Sequence, residues 1–338
     1  MGRLDKVPHY TKGRTTPMFD VGFAEEIERA WGGRRWGAQN FAGTLELVLI
    51  HRPGEENLAA EIDEDPAFFN LPEGNIDLGP MQKEHDAFAD ILRSEGTEVV
   101  YLDPEPPLVG TYGLSLRALV YARTATVIDG GVIMDRNANL YKRGMERFYT
   151  KRLVELGCPI LYTVHGMGCF ESGDLIFINP KCAVLARSVR SNQEGLDQVE
   201  RILRQNGVDD IIHTDIPGYW NRRDSQWGGA SGYFHLDAVL GVAAEGIAVV
   251  YPGGVGYHFL EELDKRGVEI IEVPDAEVRT LAPNLLVIKP GVVVIPAGNP
   301  ETVAQLESKG IKVHQVKFAE LLRAGGGPQC ITMPLIQR

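Results

Sequence analysis

Long apolar runs, paired cysteines and an excess of basic charge are all missing from this 338-residue chain, and each absence removes a class of protein. No stretch of about 18 residues is free of charge, so the sequence offers no membrane-spanning helix. The segment Met1–Arg14 is basic and polar and lacks the apolar centre of a secretory signal. Four cysteines, Cys158, Cys169, Cys182 and Cys330, contain no Cys-x-x-Cys pair, which points away from a disulfide framework and toward free thiols in a cytoplasmic chain. A formal net charge of −12 disfavours nucleic acid as a partner and is consistent with cationic or neutral small-molecule substrates.

One phrase, in contrast, is used five times: a helix-like stretch ending in leucine and charge, a glycine, then a short β-branched run. It reads ILRSEGTEVVYL at Ile91–Leu102, RLVELGCPILYT at Arg152–Thr163, ILRQNGVDDIIHT at Ile202–Thr214, ELDKRGVEIIEV at Glu262–Val273 and QLESKGIKVHQV at Gln305–Val316. Glycine takes positive φ just past a helix end at no steric cost, so each phrase predicts helix, cap and strand around Gly96, Gly157, Gly207, Gly267 and Gly310. The intervals are too unequal for a solenoid and suit blades with variable loops. Short β-rich runs precede the helices: Thr44–Ile50, Ala118–Val120 with Thr126–Ile128 and Val132–Met134, Leu175–Ile178 with Ala183–Ala186, Ala243–Tyr251, and Leu285–Lys289 with Val292–Ile295.

The module is therefore ββαβ and the fold class α/β: a five-bladed, pseudo-symmetric propeller over 41–338, with helices outside and strand ends converging on the axis. Residues 1–40 read as an extension with a helix at Met18–Trp31. That extension is expected either to pack on a neighbouring copy in a homo-oligomer, to lid the channel, or to be a plain solvated tail.

Three groups of residues carry possible chemistry. Gly325-Gly326-Gly327-Pro328 cannot be helix interior, so it forms a loop that brings Cys330 to a defined place, anchored by the apolar run Ile331–Ile336. Cysteine is the strongest nucleophile among side chains near neutral pH, although a buried structural thiol is the plainer reading. His235 and Asp237, two residues apart on an extended stretch, present an imidazole and a carboxylate to one side. Glu171 and Asp174 flank a Ser-Gly turn at the mouth of a strand, where paired carboxylates suit a delocalised cation; an acidic turn capping the next element explains them equally well. His51, His85 and His314 read as structural.

In this order the motifs resemble one family. Glu171-Ser172-Gly173-Asp174, His235-Leu236-Asp237 and the run Gly325–Leu335 are similar to the guanidine-modifying (pentein) superfamily, and to its arginine deiminase branch in particular. His51–Glu55 and Glu84–Phe88 match that branch too, so the resemblance runs from about Leu45 to Leu335. It implies a five-bladed α/β propeller and a metal-free, cofactor-free reaction. Cys330 would form a covalent S-alkyl intermediate at an amidine carbon, His235 would act as general acid and base, and Glu171 and Asp237 would bond the substrate nitrogens. Arg143 and Arg187 match positions that orient substrate.

Departures from the family pattern bear on the substrate. Where the branch has Phe-Thr-Arg-Asp, this chain has Tyr121-Ala122-Arg123-Thr124, so a guanidinium-binding carboxylate is replaced by Thr124. Gly325 and Gln329 stand where arginines would meet an amino acid carboxylate. Free arginine is therefore not the expected substrate. The leading expectation is deiminase-type hydrolysis of a small, less cationic amidine-like molecule. Hydrolytic denitration of a nitroazole such as 2-nitroimidazole, amidinotransfer, and a non-catalytic binding role on the same fold are the alternatives.

Overall fold

Five three-stranded sheets organise the chain, and each is built alike. The computed structural model describes residues 2–31, 33–71, 74–217 and 235–338. The strands are β1 (Leu45–Ile50), β2 (Glu98–Tyr101), β3 (Ala125–Ile128), β4 (Gly131–Met134), β5 (Ile160–Thr163), β6 (Leu175–Asn179), β7 (Cys182–Arg187), β8 (Asp210–Asp215), β9 (Leu240–Ala244), β10 (Ile247–Val250), β11 (Glu269–Glu272), β12 (Leu286–Lys289), β13 (Val292–Pro296), β14 (Lys312–Val316) and β15 (Met333–Gln337). Four sheets follow chain order, β3-β4-β5, β6-β7-β8, β9-β10-β11 and β12-β13-β14; the fifth is β15-β1-β2. In every sheet the central strand pairs antiparallel on one side and parallel on the other, the parallel partner following the module's helix. The last strand thus completes the first blade, a closure that the anchoring run Ile331–Ile336 only hinted at.

The repeated glycines behave as their phrase requires. All five have positive φ, from 68° at Gly267 to 100° at Gly96. At each, the following amide reaches back to the carbonyl five residues earlier, as in Thr97 N to Leu92 O (3.0 Å), Val208 N to Leu203 O (3.1 Å) and Ile311 N to Leu306 O (3.2 Å). These bonds satisfy carbonyls that the helix end would leave open.

Two runs differ from the sequence reading. Ala118–Val120 is a turn of 3-10 helix rather than a strand, because the buried Arg117 donates to Phe69 O (2.7 Å) and Ala324 O (3.2 Å) and knits the segment to loops on two sides. The run Ala243–Tyr251 contains a hairpin, β9 and β10 turning at Gly246, whose φ is 71°. The amino-terminal helix is shorter than expected, Phe23–Ala30, and is anchored by the fully buried Ile27.

β15 packs against β3, β6 against β9 and β9 against β12, so the first strand of each blade faces its neighbours across the centre. Segments entering these inner strands therefore meet near the axis. No helix among the described residues is long and apolar enough to cross a membrane.

Candidate active site

The entries to the inner strands deliver the site. Tyr121 and Arg123 precede β3, Glu171, Gly173 and Asp174 precede β6, His235 and Asp237 precede β9, Asn284 precedes β12 and Cys330 precedes β15. A cavity of about 40 Å3 lies among them, large enough for the reacting end of a small molecule and not for a polymer segment. Its wall includes Cys330, His235, Asp237, Gly173 and Gly325 from the expected motifs. Arg123, Lys142, Arg190 and Tyr121 also line it.

Glycine is required in the Cys330 loop by close approach. A β-carbon on Gly326 would stand 2.6 Å from the Tyr121 ring, and one on Gly327 would stand 2.6 Å from Asn284 Oδ1. Gly325 has φ 97°, which a larger residue adopts only with strain. Asn284 then clamps the nucleophile: its Oδ1 accepts from the amides of Gln329 (3.1 Å) and Cys330 (3.3 Å), while its Nδ2 donates to Cys330 Sγ (3.1 Å) and Asp237 O (3.0 Å). Cys330 Sγ lies 3.6 Å from Asp237 Oδ2. Burial, then the neighbouring Asp237 charge, push the partly buried thiol up to about 12, against the opposing pull of the Gly327 backbone, Arg123 and Asn284. The resting group is a thiol at neutral pH.

His235 is extended, as the sequence reading assumed, but Asp237 is not. His235 begins the 3-10 turn Leu236–Ala238, and this turn brings it and Asp237 to one cavity. Its ring lies against Gly173, where a β-carbon would come within 2.7 Å of His235 Cγ. Gly173→Ala is therefore expected to displace the imidazole and lower kcat by about tenfold to a hundredfold, with thermal stability changed far less. Equal kcat for this variant and the wild type would contradict the placement.

Glu171 stands behind His235 rather than on the cavity wall. Its Oε2 accepts from His235 Nε2 (3.0 Å) and from Lys142 Nζ (2.7 Å), and its Oε1 from the Ala138 amide (3.2 Å). Burial opposes its charge, yet Lys142, then His235 and Arg190, hold it well below the usual carboxylate range. Because Nε2 is engaged by a carboxylate, Nδ1 is the ring nitrogen left to exchange protons.

Asp174 is likewise structural: it accepts from Ser188 Oγ and Ser191 Oγ (2.6 Å each) and from the Leu236 amide (3.1 Å), tying the His235 turn to the loop after β7. Burial raises it to about 6 against the opposing influence of His235 and these donors, so it is ionised at neutral pH.

The remaining expected substrate ligands sit off the wall. Thr124 is buried and accepts from Asn137 Nδ2 (3.2 Å), while the preceding Arg123 faces the cavity. Arg143 donates to Asn137 O (2.8 Å) and approaches Cys169 Sγ (3.4 Å); its neighbour Lys142 is the cation on the wall. Arg187 pairs with Asp215 (2.7 Å) in a separate surface depression, and Arg190 takes the cavity position. Gln329, oriented so that its amide nitrogen donates to Leu285 O (2.6 Å), accepts from Arg123 and supports the wall from behind. Asn284 was missed altogether, although its place before β12 repeats that of the other site segments.

A cysteine, a histidine backed by a carboxylate, and an aspartate, presented by the inner strands of five ββαβ blades, define a cysteine-centred propeller. Comparison with known proteins agrees. A family model for arginine deiminase matches residues 254–337. The 2-nitroimidazole nitrohydrolase of Mycobacterium sp. strain JS330 is 27% identical, covering 98% of this chain and 91% of its own. An arginine deiminase of Rhodococcus opacus strain B4 is 24% identical over 90% of this chain and 98% of its own. Among solved structures, DDAH from Pseudomonas aeruginosa complexed with citrulline superposes with a TM-score of 0.67 at 17% identity, covering 86% of this chain and 99% of that one. The chain is thus similar in sequence to arginine deiminases and to a nitrohydrolase, and shares its fold with DDAH.

Proposed function

We propose that the protein is a cysteine-nucleophile hydrolase that attacks the N–C–N carbon of a small uncharged molecule, and that a nitroazole of the 2-nitroimidazole type is the substrate class its cavity suits best. The observation that carries this reading is the charge on the wall. Among the described residues, Asp237 is the one carboxylate there, facing three cationic side chains, Arg123, Lys142 and Arg190. Glu171 is already engaged by Lys142 and His235, and Asp174 by three donors. Lys142 and Glu171 neutralise each other, so a guanidinium entering such a site meets Asp237 against Arg123, which has no carboxylate partner among the described residues and whose repulsion is worth about 4 kcal/mol at ~4 Å and an effective dielectric of about 20. A neutral azole avoids that penalty, and a leaving anion gains from it.

The steps balance without an oxidant or reductant. Cys330 gives its proton to His235 and forms a bond from Sγ to the azole carbon; the carbon–nitrogen bond to the nitro group breaks, and nitrite leaves with the electron pair. His235 releases that proton to solvent and then takes one from water, which attacks the same carbon; the carbon–sulfur bond breaks and His235 returns its proton to the thiolate, leaving an azolone, nitrite and one proton. Asp237 would bond a ring N–H beside the reacting carbon. It would serve an amidine equally, so deiminase-type release of ammonia from an uncharged amidine is the second reading.

A panel of nitroazoles, amidines and guanidines, scored separately for nitrite and ammonia, tests the proposal. Nitrite release from a nitroazole with kcat/KM at least tenfold above any guanidine is expected. Efficient conversion of arginine to citrulline, with no nitrite from any nitroazole, would overturn it.

A further inference from the structure

Large apolar side chains are concentrated on the surface of one short segment. Leu4, Val7, Tyr10, Met18, Phe19 and Phe23 are all exposed, Phe19 to 91%, although they precede the point at which Ile27 plugs into the core. Residues 2–17 also carry Arg3, Lys6, Lys12 and Arg14 against Asp5 alone, a net +3 that leaves −15 on the remainder of a chain whose total is −12. None of these four cations forms a salt bridge among the described residues. The segment is thus apolar and basic, attached to a strongly acidic body.

A surface with the matching features lies on the body. Leu58 (60%) and Phe68 (42%) are exposed on either side of the helix Ala60–Glu64, and Asp63, Glu64 and Asp65 are exposed between them without a lysine or arginine partner among the described residues. Phe68 stacks edge-on to Phe69 (5.1 Å) and Tyr141 (6.4 Å), and Tyr141 and Asn70 line the catalytic cavity. Apolar side chains with interleaved lysine and arginine on one surface, facing apolar side chains with interleaved carboxylates on the other, gain both from burial and from charge complementarity.

We infer that the amino-terminal arm of one molecule docks on the Leu58–Phe68 face of a second copy of this chain, so that the protein assembles through its arms beside the active-site mouth. The anchor at Ile27 leaves the arm free to leave its own body, and the acidity of an identical body supplies the attraction. Exposed ion pairs weaken with salt whereas apolar burial does not, so assembly is expected to loosen, but not vanish, between about 0.05 M and about 1 M salt.

Light scattering or sedimentation on the full chain tests this without reference to activity. The wild type is expected at a multiple of 37.2 kDa, and the triple variant Lys6→Glu, Lys12→Glu, Arg14→Glu at 37.2 kDa with an unchanged circular dichroism spectrum, since the arm lies outside the core. Asp63→Lys, Glu64→Lys and Asp65→Lys, added to that variant, are expected to restore the larger mass. A wild type that is monomeric at all concentrations, an arm variant that assembles as well as the wild type, or a body triple that fails to restore assembly would each overturn the inference. Binding of the monomeric wild type to anionic vesicles would do so as well, by assigning the arm to a membrane surface.

Discussion

Replacing Cys330 with alanine is expected to lower kcat by about 10⁴-fold or more while leaving the fold intact. The loop does not depend on the sulfur. Its conformation is held by Asn284 Oδ1 on the Gln329 and Cys330 amides, by the Arg123 amide on Cys330 O (3.2 Å) and by the Ile331 amide on Gly327 O (3.3 Å), all of which alanine retains. Burial holds the thiol of the free enzyme protonated at neutral pH, so nucleophilicity arises when a bound substrate lets the proton pass to His235. One consequence is counter-intuitive. Iodoacetamide applied to the free enzyme should mark Cys169, which is partly exposed 3.4 Å from both Arg136 and Arg143, before it marks Cys330. Cys158 and Cys182 are buried, each pushed up to about 12 chiefly by that burial, and should react last. Rapid labelling of Cys330 in the free enzyme would show that its resting state is a thiolate.

Replacing His235 with alanine is expected to cost about 10³-fold in kcat and to remove the acidic limb of the pH–rate profile. The limb does not belong to Glu171. Its folded value is depressed well below the ordinary one, so the stability from its pairing is present above the ordinary carboxylate range and lost only as the pH falls through that much lower value. Lys142 and His235 share one oxygen of Glu171, so the lysine cancels part of the carboxylate's pull on the imidazole. Lys142→Met therefore favours the imidazolium and should move the limb to higher pH by about one unit, Lys142→Arg should leave it near the wild-type position, and Glu171→Gln should move it lower. A limb that stays in place in both Lys142→Met and Glu171→Gln would remove Glu171 from the account of proton transfer.

Much of the architecture was legible because it repeats. Helix, glycine and strand recur five times, and positive φ at Gly96, Gly157, Gly207, Gly267 and Gly310 is a local requirement that a sequence displays directly. The blade closure between β1 and β15 was not legible, since it joins the two ends of the fold and depends on a pairing that no local pattern encodes. At the site, Cys330, His235 and Asp237 were recoverable because glycines or a turn fix their backbone within a few residues. Lys142, Arg190 and Asn284 were not, because which of two neighbouring side chains turns inward is decided by contacts with other blades, such as Lys142 with Glu171 and Asn284 with Cys330. Reading the segment before each inner strand as a site position would have singled out Asn284.

The central claim is that a covalent bond forms between Cys330 and the N–C–N carbon of the substrate. Mass spectrometry of the wild type, quenched in acid within milliseconds of mixing with 2-nitroimidazole, tests it most directly, because the quench stops hydrolysis before the intermediate is cleared. An azolyl adduct on the peptide containing Cys330, absent in Cys330→Ala, is the predicted result. Nitrite release with no adduct on Cys330 at any quench time, or an adduct on Cys169 instead, would contradict it.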